Sequence, residues 1–554
     1  MPSMTRLQRC FPFLLWPRPS AGLLRGEALA GLTVGLMVIP QGVAYAALAG
    51  MPLVTGIYAS MLPALVAVLF GASQRLSVGP TAITCLLVSA SLAGLATPGS
   101  ADWVSLAVWL TLLSGLLQVV LGLVRFGWLL NLVNAPVLMA FTQAAAVLIV
   151  GSQLGSLLGW AGLPVDGPWW RALHLPSLAF GLGSLALLMA VRRWKPAFPS
   201  VLLIVVASAG LSHWLGFAES GGRVVGALPG GLPGLYWPSW PGWAVLGQLA
   251  VPVLVITLVS FLETAASAKV DNARQGTPWN QDQDLIGQGL AKLAAGFSGA
   301  FPTSSSFSRS ALNLYAGART GWATVFSVVV VAVALLWFLP VLRQVPQAVL
   351  AAIVVVAVVG LIKPLEFKRL WGISRVEATT AGATFAITLL AAPQLYWGVL
   401  AGVLMALSHF LYQRLHPRII EVGLHADGRL RDRHLWGLPP MAAHTCALRM
   451  DAALDFGSAA ALERAVNDHL ATHPDTRQVL LLAQPINRID ATGVETFARL
   501  RTQLGLQQRE LWLVGAKLPV EQVLRNAGEW TGAPGLRVFV TEAEALAALS
   551  QDGA

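Results

Sequence analysis

Nine consecutive residues, from Phe301 to Arg309, bring several hydrogen-bonding side chains into a strongly apolar stretch of the sequence. They read Phe-Pro-Thr-Ser-Ser-Ser-Phe-Ser-Arg, so serines, a threonine and a guanidinium group lie close together. A proline in the first helical turn, here Pro302, followed by small hydroxyl residues predicts the start of a helix, whose free N–H groups and partial positive charge favour an anion. We expect Arg309 two turns into that helix. Hydrocarbon excludes such a segment unless it lines a cavity, so the stretch predicts half of an anion-binding site at mid-membrane depth.

Glu263 is the one acidic residue between positions 29 and 415 that lies well inside an apolar run. A carboxyl group at membrane depth is a candidate for proton exchange or for pairing with a cation. Two interpretations therefore stay open. Glu263 couples transport to protons or tunes the site, or Glu263 and Arg309 form a static pair that holds two helices together.

The same polar pattern recurs earlier in the chain at a fixed spacing. Gly79-Pro80-Thr81 opens an apolar run as Phe301-Pro302-Thr303 does, and 222 residues separate the two prolines. The same spacing relates Gln41 to Glu263, and Tyr45 lies one helical turn after Gln41 on the same face. We therefore predict an internal repeat whose first half supplies the other side of the site. The alternative is chance, since proline dipeptides of this kind are common in membrane helices.

Composition and hydropathy indicate a polytopic α-helical membrane protein with a small α/β domain at its end. Of 554 residues, 56% are hydrophobic and 11% charged, whereas soluble proteins carry about 25% charged residues. About fourteen apolar segments are predicted, and seven per repeat is an odd number, so the second repeat is inverted. Basic residues after even-numbered segments predict cytoplasmic termini. The predicted regions are a cytoplasmic segment 1–25, a transmembrane domain 26–415 with repeats 26–216 and 245–415, a polar connector 416–440, and a final domain 441–554.

Enzymatic and nucleic-acid functions find no support in the sequence. The three cysteines, Cys10, Cys85 and Cys446, have no metal-ligand spacing, and we find no catalytic Ser/His/Asp set and no P-loop. Gly287-Gln288-Gly289 lacks a preceding strand and a third glycine, so it predicts tight helix packing. We expect no enzyme activity, cofactor, metal ion or nucleic-acid partner.

Several motifs resemble those of the SulP anion permeases, relatives of the sulfate, chloride/bicarbonate and prestin-type carriers. They are Pro40-Gln41-Gly42, Gly56-Ile57-Tyr58-Ala59-Ser60, Ser77-Val78-Gly79-Pro80-Thr81 and Ser306-Phe307-Ser308-Arg309-Ser310-Ala311-Leu312-Asn313, and Ile489-Asp490-Ala491-Thr492-Gly493-Val494 resembles a STAS domain. The resemblance implies a core domain and a gate domain, half-helices as segments three and ten, an elevator-like movement, and homodimers. It also implies that Glu263 lies where proton-coupled members keep an acid. No good match to the acidic arrangement of sodium-coupled members is found.

The resemblance carries site roles onto Gln41, Tyr45, Thr81, Ser308 and Arg309. In STAS relatives used in bacterial signalling the hydroxyl at the position of Thr492 is phosphorylated, so the resemblance makes Thr492 a candidate regulatory phosphosite. The alternative, which we favour for a transporter, is that this hydroxyl only caps the following helix. The predicted substrate-binding residues are Gln41, Tyr45, Gly79, Pro80, Thr81, Thr303, Ser306, Phe307, Ser308 and Arg309.

We expect a secondary active transporter of a small oxyanion, with proton-coupled sulfate uptake as the first choice, in a bacterial inner membrane. Its partners would be the anion, a proton, membrane lipid and a second copy of the chain. Bicarbonate and C4-dicarboxylates are the alternative substrates. A channel-like anion conductor and a membrane-anchored regulator are the alternative functions.

Overall fold

A computed structural model of the chain describes residues 11–128, 134–160, 173–194, 200–337, 339–530 and 532–552. Residues 1–10 of the predicted N-terminal segment lie outside this described part. The chain divides into two compact units, residues 1–406 and 407–554, and each is described by itself.

The first unit is helical. Its first half contains α1 (Ala21–Leu48), α2 (Thr55–Tyr58), α3 (Leu62–Phe70), α4 (Ala82–Leu92), α5 (Ala101–Leu123), α6 (Ala135–Leu158), α7 (Leu175–Trp194) and α8 (Ser200–Trp214). Its second half contains α9 (Trp243–Gln275), α10 (Gln281–Phe297), α11 (Phe307–Tyr315), α12 (Trp322–Trp337), α13 (Leu339–Leu342), α14 (Gln347–Val359), α15 (Pro364–Ile373), α16 (Arg375–Leu390) and α17 (Tyr396–Leu415).

Each of the fourteen predicted apolar segments coincides with one or two of these helices, which confirms a polytopic helical fold. Among the described residues, six helices are long and apolar enough to cross a membrane by length and composition. The amphipathic helix α15 was not predicted. It buries none of its residues, and its charged side chains lower the local hydropathy that marks a membrane segment.

Helices α4 and α11 are too short to cross a bilayer. They contain 11 and 9 residues, so each rises about 15 Å, roughly half of the ~30 Å hydrocarbon core. They occupy the positions predicted for half-helices three and ten. A protein that ends a helix at this depth has to satisfy the exposed backbone groups with other protein groups.

A short ribbon of two strands meets that requirement. Strand β1 (Val78–Gly79) pairs antiparallel with β2 (Ser304–Ser305), so the two halves of the unit join immediately before α4 and α11 begin. The prediction that the tenth segment is helical from Pro302 is therefore wrong. The helix starts at Phe307, because the backbone of residues 304–305 is used in the ribbon, and Arg309 lies in the first turn rather than two turns further along.

Glycines let the helices around the site approach closely. A Cβ atom on Gly42 of α1 would lie 2.7 Å from the backbone oxygen of Gly56 in α2. A Cβ atom on Gly289 of α10 would lie 2.7 Å from the backbone oxygen of Gly115 in α5. Larger residues would separate these pairs, and the Gly287-Gln288-Gly289 motif accordingly lies where helices pack tightly.

The second unit is an α/β domain built on a six-stranded sheet of order β4-β3-β5-β6-β7-β8. Strands β5 to β8 are parallel, and their apolar residues are covered by helices on both faces. The strands are β3 (Ile419–Leu424), β4 (Leu430–Asp432), β5 (Thr445–Met450), β6 (Gln478–Leu482), β7 (Glu510–Val514) and β8 (Leu536–Phe539). The helices are α18 (Arg433–Trp436), α19 (Ala459–Thr472), α20 (Ala491–Leu506), α21 (Leu518–Asn526) and α22 (Glu542–Asp552).

The α/β domain predicted for the end of the chain is confirmed by this sheet and its helices. The segment 416–440, predicted as a polar connector, instead contributes β3 and β4 to the sheet. Its strands escape notice in the sequence because short apolar pairs such as Ile419 and Ile420 stand among charged and turn-forming residues.

Candidate anion-binding site

Two helix N-termini converge on the β1–β2 ribbon. Thr81 caps α4: its Oγ1 accepts a hydrogen bond from the backbone N–H of Thr84 at 3.3 Å, and the Thr84 hydroxyl accepts one from the N–H of Thr81. Ser306 caps α11 by accepting from the backbone N–H of Arg309 at 3.5 Å. Because both helices begin beside the ribbon, their positive ends and remaining free N–H groups lie together, as an anion requires.

The guanidinium of Arg309 is the cation of this region, and 1% of the residue is exposed. Its Nη1 donates to the carbonyl oxygen of Pro80 at 2.8 Å, and its Nε donates to Ser77 Oγ at 3.4 Å. Its Nη2 has no hydrogen-bond partner among the described residues. A buried charged donor without a partner is costly, so this nitrogen is available to an acceptor that enters the site.

Glu263 of α9 reaches the same segment from the other side. Thr81 Oγ1 donates to Glu263 Oε2 at 3.0 Å. Glu263 keeps part of its surface exposed, unlike the fully enclosed Arg309. Among the described residues no ion pair joins Glu263 to Arg309; each bonds the Pro80–Thr81 segment instead. A direct static pair is therefore not what holds these helices together.

Helix α1 contributes two buried polar residues to the surroundings of these charges. Gln41 is 3% exposed, and its Oε1 atom has no hydrogen-bond partner among the described residues. Tyr45 is within electrostatic range of both Arg309 and Glu263. The hydroxyl of Thr303, on a residue with no exposed surface, likewise has no described partner. Gln41 Oε1 and Thr303 Oγ1 thus join Arg309 Nη2 as buried polar atoms without a described partner, which is typical of a site that receives a ligand.

The start of α11 is not covered by other parts of the protein. Phe307 is 58% exposed, and Ser308 is exposed as well. The hydroxyls of Ser306 and Ser308 lie 3.3 Å apart. Of the predicted residues, those in or directly beside the ribbon are Gly79, Pro80, Thr81, Thr303 and Ser306, and both Glu263 and Arg309 bond the Pro80–Thr81 segment. Tyr45 lies within electrostatic range of these two charges, and Gln41 is buried one helical turn before it. Phe307 and Ser308 lie at the exposed start of α11.

Lys292 and Glu27 are among the buried charged residues that the sequence analysis did not predict. Lys292 of α10 has no exposed surface, and its Nζ donates to Gln118 Oε1 at 2.7 Å and to Ser260 Oγ at 2.6 Å. Glu27 of α1 is 1% exposed and accepts from backbone N–H groups at the start of α12. For Lys292, the available signal was a single lysine within the apolar run 283–300. No comparable signal marks Glu27.

In the second unit, Asp490 rather than Thr492 caps α20. The Asp490 carboxylate accepts from the backbone N–H of Gly493 at 2.8 Å and from that of Phe456 at 3.1 Å. Our expectation that Thr492 caps this helix is therefore wrong. The Thr492 side chain is exposed at the second position of the helix, because the carboxylate already satisfies the N–H groups that a cap would serve.

Comparison with known proteins gives a consistent picture. Residues 24–384 match the sulfate permease family, and residues 441–545 match the STAS domain. The chain is 32% identical over 498 residues to a probable sulfate transporter of Mycobacterium tuberculosis, covering 87% of each chain. It is 28% identical over 552 residues to the chloroplastic sulfate transporter 4.1 of Arabidopsis thaliana, covering 94% of this chain and 79% of that one.

Two solved structures share the fold. Murine Solute Carrier 26 family member A9, an anion transporter solved in the inward-facing state, superposes with a TM-score of 0.88 at 19% identity, covering 98% of this chain and 94% of that one. The transmembrane domain of a cyanobacterium bicarbonate transporter, BicA, superposes with a TM-score of 0.59 at 20% identity, covering 70% of this chain and 98% of that one.

Proposed function

We propose that this chain, an anion transporter that belongs to the sulfate permease family, takes up sulfate together with a proton. The membership rests on the match over residues 24–384 and on relatives that are themselves transporters, which also argues against an enzyme. Sulfate is the substrate that the names of the sequence relatives favour. The proton is proposed from the geometry of the site.

The unpartnered Nη2 of Arg309 is the observation that carries the anion site. It lies on a buried cation between the N-termini of α4 and α11, so a tetrahedral oxyanion there could accept from Nη2 and from free backbone N–H groups. The hydroxyls of Thr303 and Ser306 supply further neutral donors. These groups suit an oxyanion with several acceptor oxygens better than a spherical halide.

Glu263 supports proton coupling. Its carboxyl group bonds Thr81, the cap of α4, so an ionised Glu263 would repel an anion bound at that N-terminus. Protonation removes this repulsion, and the anion and the proton therefore favour each other's binding. Its side chain is not fully enclosed by protein, which leaves it accessible to a proton.

Transport would follow an elevator-type alternating-access cycle in a bacterial inner membrane. The site residues lie on α1, α4, α9 and α11, which meet at one ribbon and can move as one body relative to the remaining helices. We place both termini in the cytoplasm, following the basic residues after even-numbered segments. Lipid surrounds the helices, and a homodimer is the proposed assembly.

Bicarbonate and C4-dicarboxylates are the alternative substrates, and a channel-like conductor is the alternative mode. Purified protein in proteoliposomes should accumulate radiolabelled sulfate when the interior is more alkaline than the exterior. Excess unlabelled sulfate, bicarbonate or succinate, added separately, identifies the preferred anion. Sulfate uptake that does not depend on the pH gradient would contradict proton coupling. Large single-channel currents in electrical recordings would indicate a channel.

A further inference from the structure

Helix α10 carries a buried cation that neither the predicted site nor the proposed cycle uses. Lys292 donates from Nζ to Gln118 Oε1 and Ser260 Oγ, at 2.7 and 2.6 Å. Ser260 directs its own hydroxyl hydrogen to the carbonyl oxygen of Thr257 at 3.2 Å, so it accepts from the lysine. Both partners are acceptors, which suits an ammonium group, since that group can only donate. Both are also uncharged, so Lys292 forms no ion pair among the described residues.

This charge lies next to the anion site. Ser260 precedes Glu263 on α9 by about one helical turn, and its carbonyl oxygen accepts from Ser304 Oγ of the ribbon at 2.9 Å. The titratable groups that face Glu263 are Tyr45 of α1, Cys85 of α4, Lys292 of α10 and Arg309 of α11. Tyrosine and cysteine are uncharged near neutral pH, so two cations act on the carboxyl group.

Other buried charges in this unit have their own partners. Asp271 pairs with Arg75, and Asp284 accepts from Ser73 and from the indole of Trp279. Glu27 is held by the backbone N–H groups at the start of α12. Among the described residues near the ribbon, the local charge therefore depends on Glu263, Lys292 and Arg309.

We propose that Lys292 is a positioning residue that supplies the second fixed positive charge of the transport site and thereby links one proton to each divalent anion. Charge at membrane depth is costly, so the loaded site is most stable when it is neutral. The two charges of sulfate balance Lys292 and Arg309 when Glu263 is protonated. A monovalent anion reaches neutrality when Glu263 is ionised, and it needs no proton. This inference rests on the proposed function and deepens it.

The test compares anion uptake in proteoliposomes with and without an alkaline interior, using radiolabelled sulfate and radiolabelled chlorate. In the Lys292→Gln variant we expect sulfate uptake to fall about tenfold or more. In the wild type, chlorate uptake should not depend on the pH gradient, whereas in this variant it should. Lys292→Arg should retain proton-driven sulfate uptake. Lys368→Gln removes the same charge from the exposed face of α15 and should behave as wild type.

Equal losses of sulfate and chlorate uptake in Lys292→Gln, with unchanged gradient dependence, would show that Lys292 only packs helices. If that variant does not fold, Glu263→Gln tests the same charge balance, since it mimics the protonated site. It should exchange sulfate across the membrane at every pH but exchange chlorate about tenfold more slowly; equal exchange of both anions would overturn the inference. Wild-type protein that takes up no sulfate would instead contradict the proposed function itself.

Discussion

Arg309 donates from Nη1 to the carbonyl oxygen of Pro80 across 2.8 Å, although 229 residues separate the two positions in the chain. The cation of the second repeat is thus oriented by the backbone of the first. This contact leaves Nη2 of Arg309 free of protein partners among the described residues, beside the start of α4. The site is therefore a joint product of both repeats, and neither half alone would aim the guanidinium.

Replacing Arg309 by lysine should impair transport although the charge is kept. A lysine donates from a single nitrogen and lacks the planar fork with which the guanidinium bonds Pro80 and Ser77 from two nitrogens and presents the third to the anion. We expect the initial rate of sulfate uptake to fall about tenfold to 100-fold, as for the loss of a charge-assisted hydrogen bond. Arg375→Lys, on the exposed surface of α16, is the matched control. A wild-type rate of sulfate uptake in the Arg309→Lys variant would show that transport needs the positive charge but not the separate donors of the guanidinium.

Gly79→Ala should lower the affinity for the anion. A Cβ atom at this position would lie 3.2 Å from Nη2 of Arg309, so it would crowd the atom proposed to meet the substrate. We expect the KM for sulfate to rise about tenfold, with little change in protein yield. Gly22→Ala in α1 has open space around its Cβ and should leave the KM unchanged. An unaltered KM in the Gly79 variant would mean that the anion binds elsewhere.

The helices are well predicted because the hydropathy that marks a membrane segment is a local property of its own residues. The hydroxyl-rich stretch before Arg309 and the lone carboxyl group of Glu263 were equally visible, since polar residues stand out in an apolar run. Their partners were not. Whether Glu263 bonds Arg309 or Thr81 depends on the packing of helices far apart in sequence, and the sequence left that question open.

Lys292 and Glu27 show a second limit. Lys292 was hidden because averaging over an apolar run dilutes one charge, and its two neutral partners come from different helices. Glu27 lies near the start of α1 and acts on the backbone of α12, which no sequence pattern records. The prediction for Thr492 was wrong for a different reason: Asp490, two residues earlier, accepts from the backbone N–H of Gly493 and so caps the helix itself.

Glu27→Gln should destabilise the membrane unit without changing its substrate preference. The carboxylate accepts from the backbone N–H groups of Arg319, Thr320 and Ala323, and an amide offers one acceptor oxygen without charge. We expect a loss of about 1–3 kcal/mol in the free energy of unfolding. Thermal unfolding in detergent measures it, with the exposed Glu495→Gln as control. An unchanged unfolding temperature would show that the capping of α12 is dispensable.

Acid should loosen helix α19 of the second unit through His469. Burial lowers the pKa of His469, whose Nε2 lies 3.3 Å from Thr476 Oγ1. The unfolded imidazole, with a pKa of about 6.5, then binds a proton more readily than the folded one. Its contribution to stability is present above that pH and is lost as the pH falls through the lower folded pKa.

Hydrogen exchange of residues 459–472 in the full chain, measured at pH above and below the ordinary histidine value, tests this prediction. Protection should fall in acid in the wild type, and less so in His469→Asn. The same acid response in both proteins would assign the effect to other groups.

The most direct measurement of the central claim compares two kinds of sulfate movement in wild type and Glu263→Gln. One is net accumulation of radiolabelled sulfate driven by an alkaline interior, and the other is exchange of internal for external sulfate at equal pH. We predict that the variant loses gradient-driven accumulation and keeps exchange, because it binds the anion but cannot release a proton. Gradient-driven accumulation that persists in the variant would contradict the assignment of Glu263 as the coupling residue.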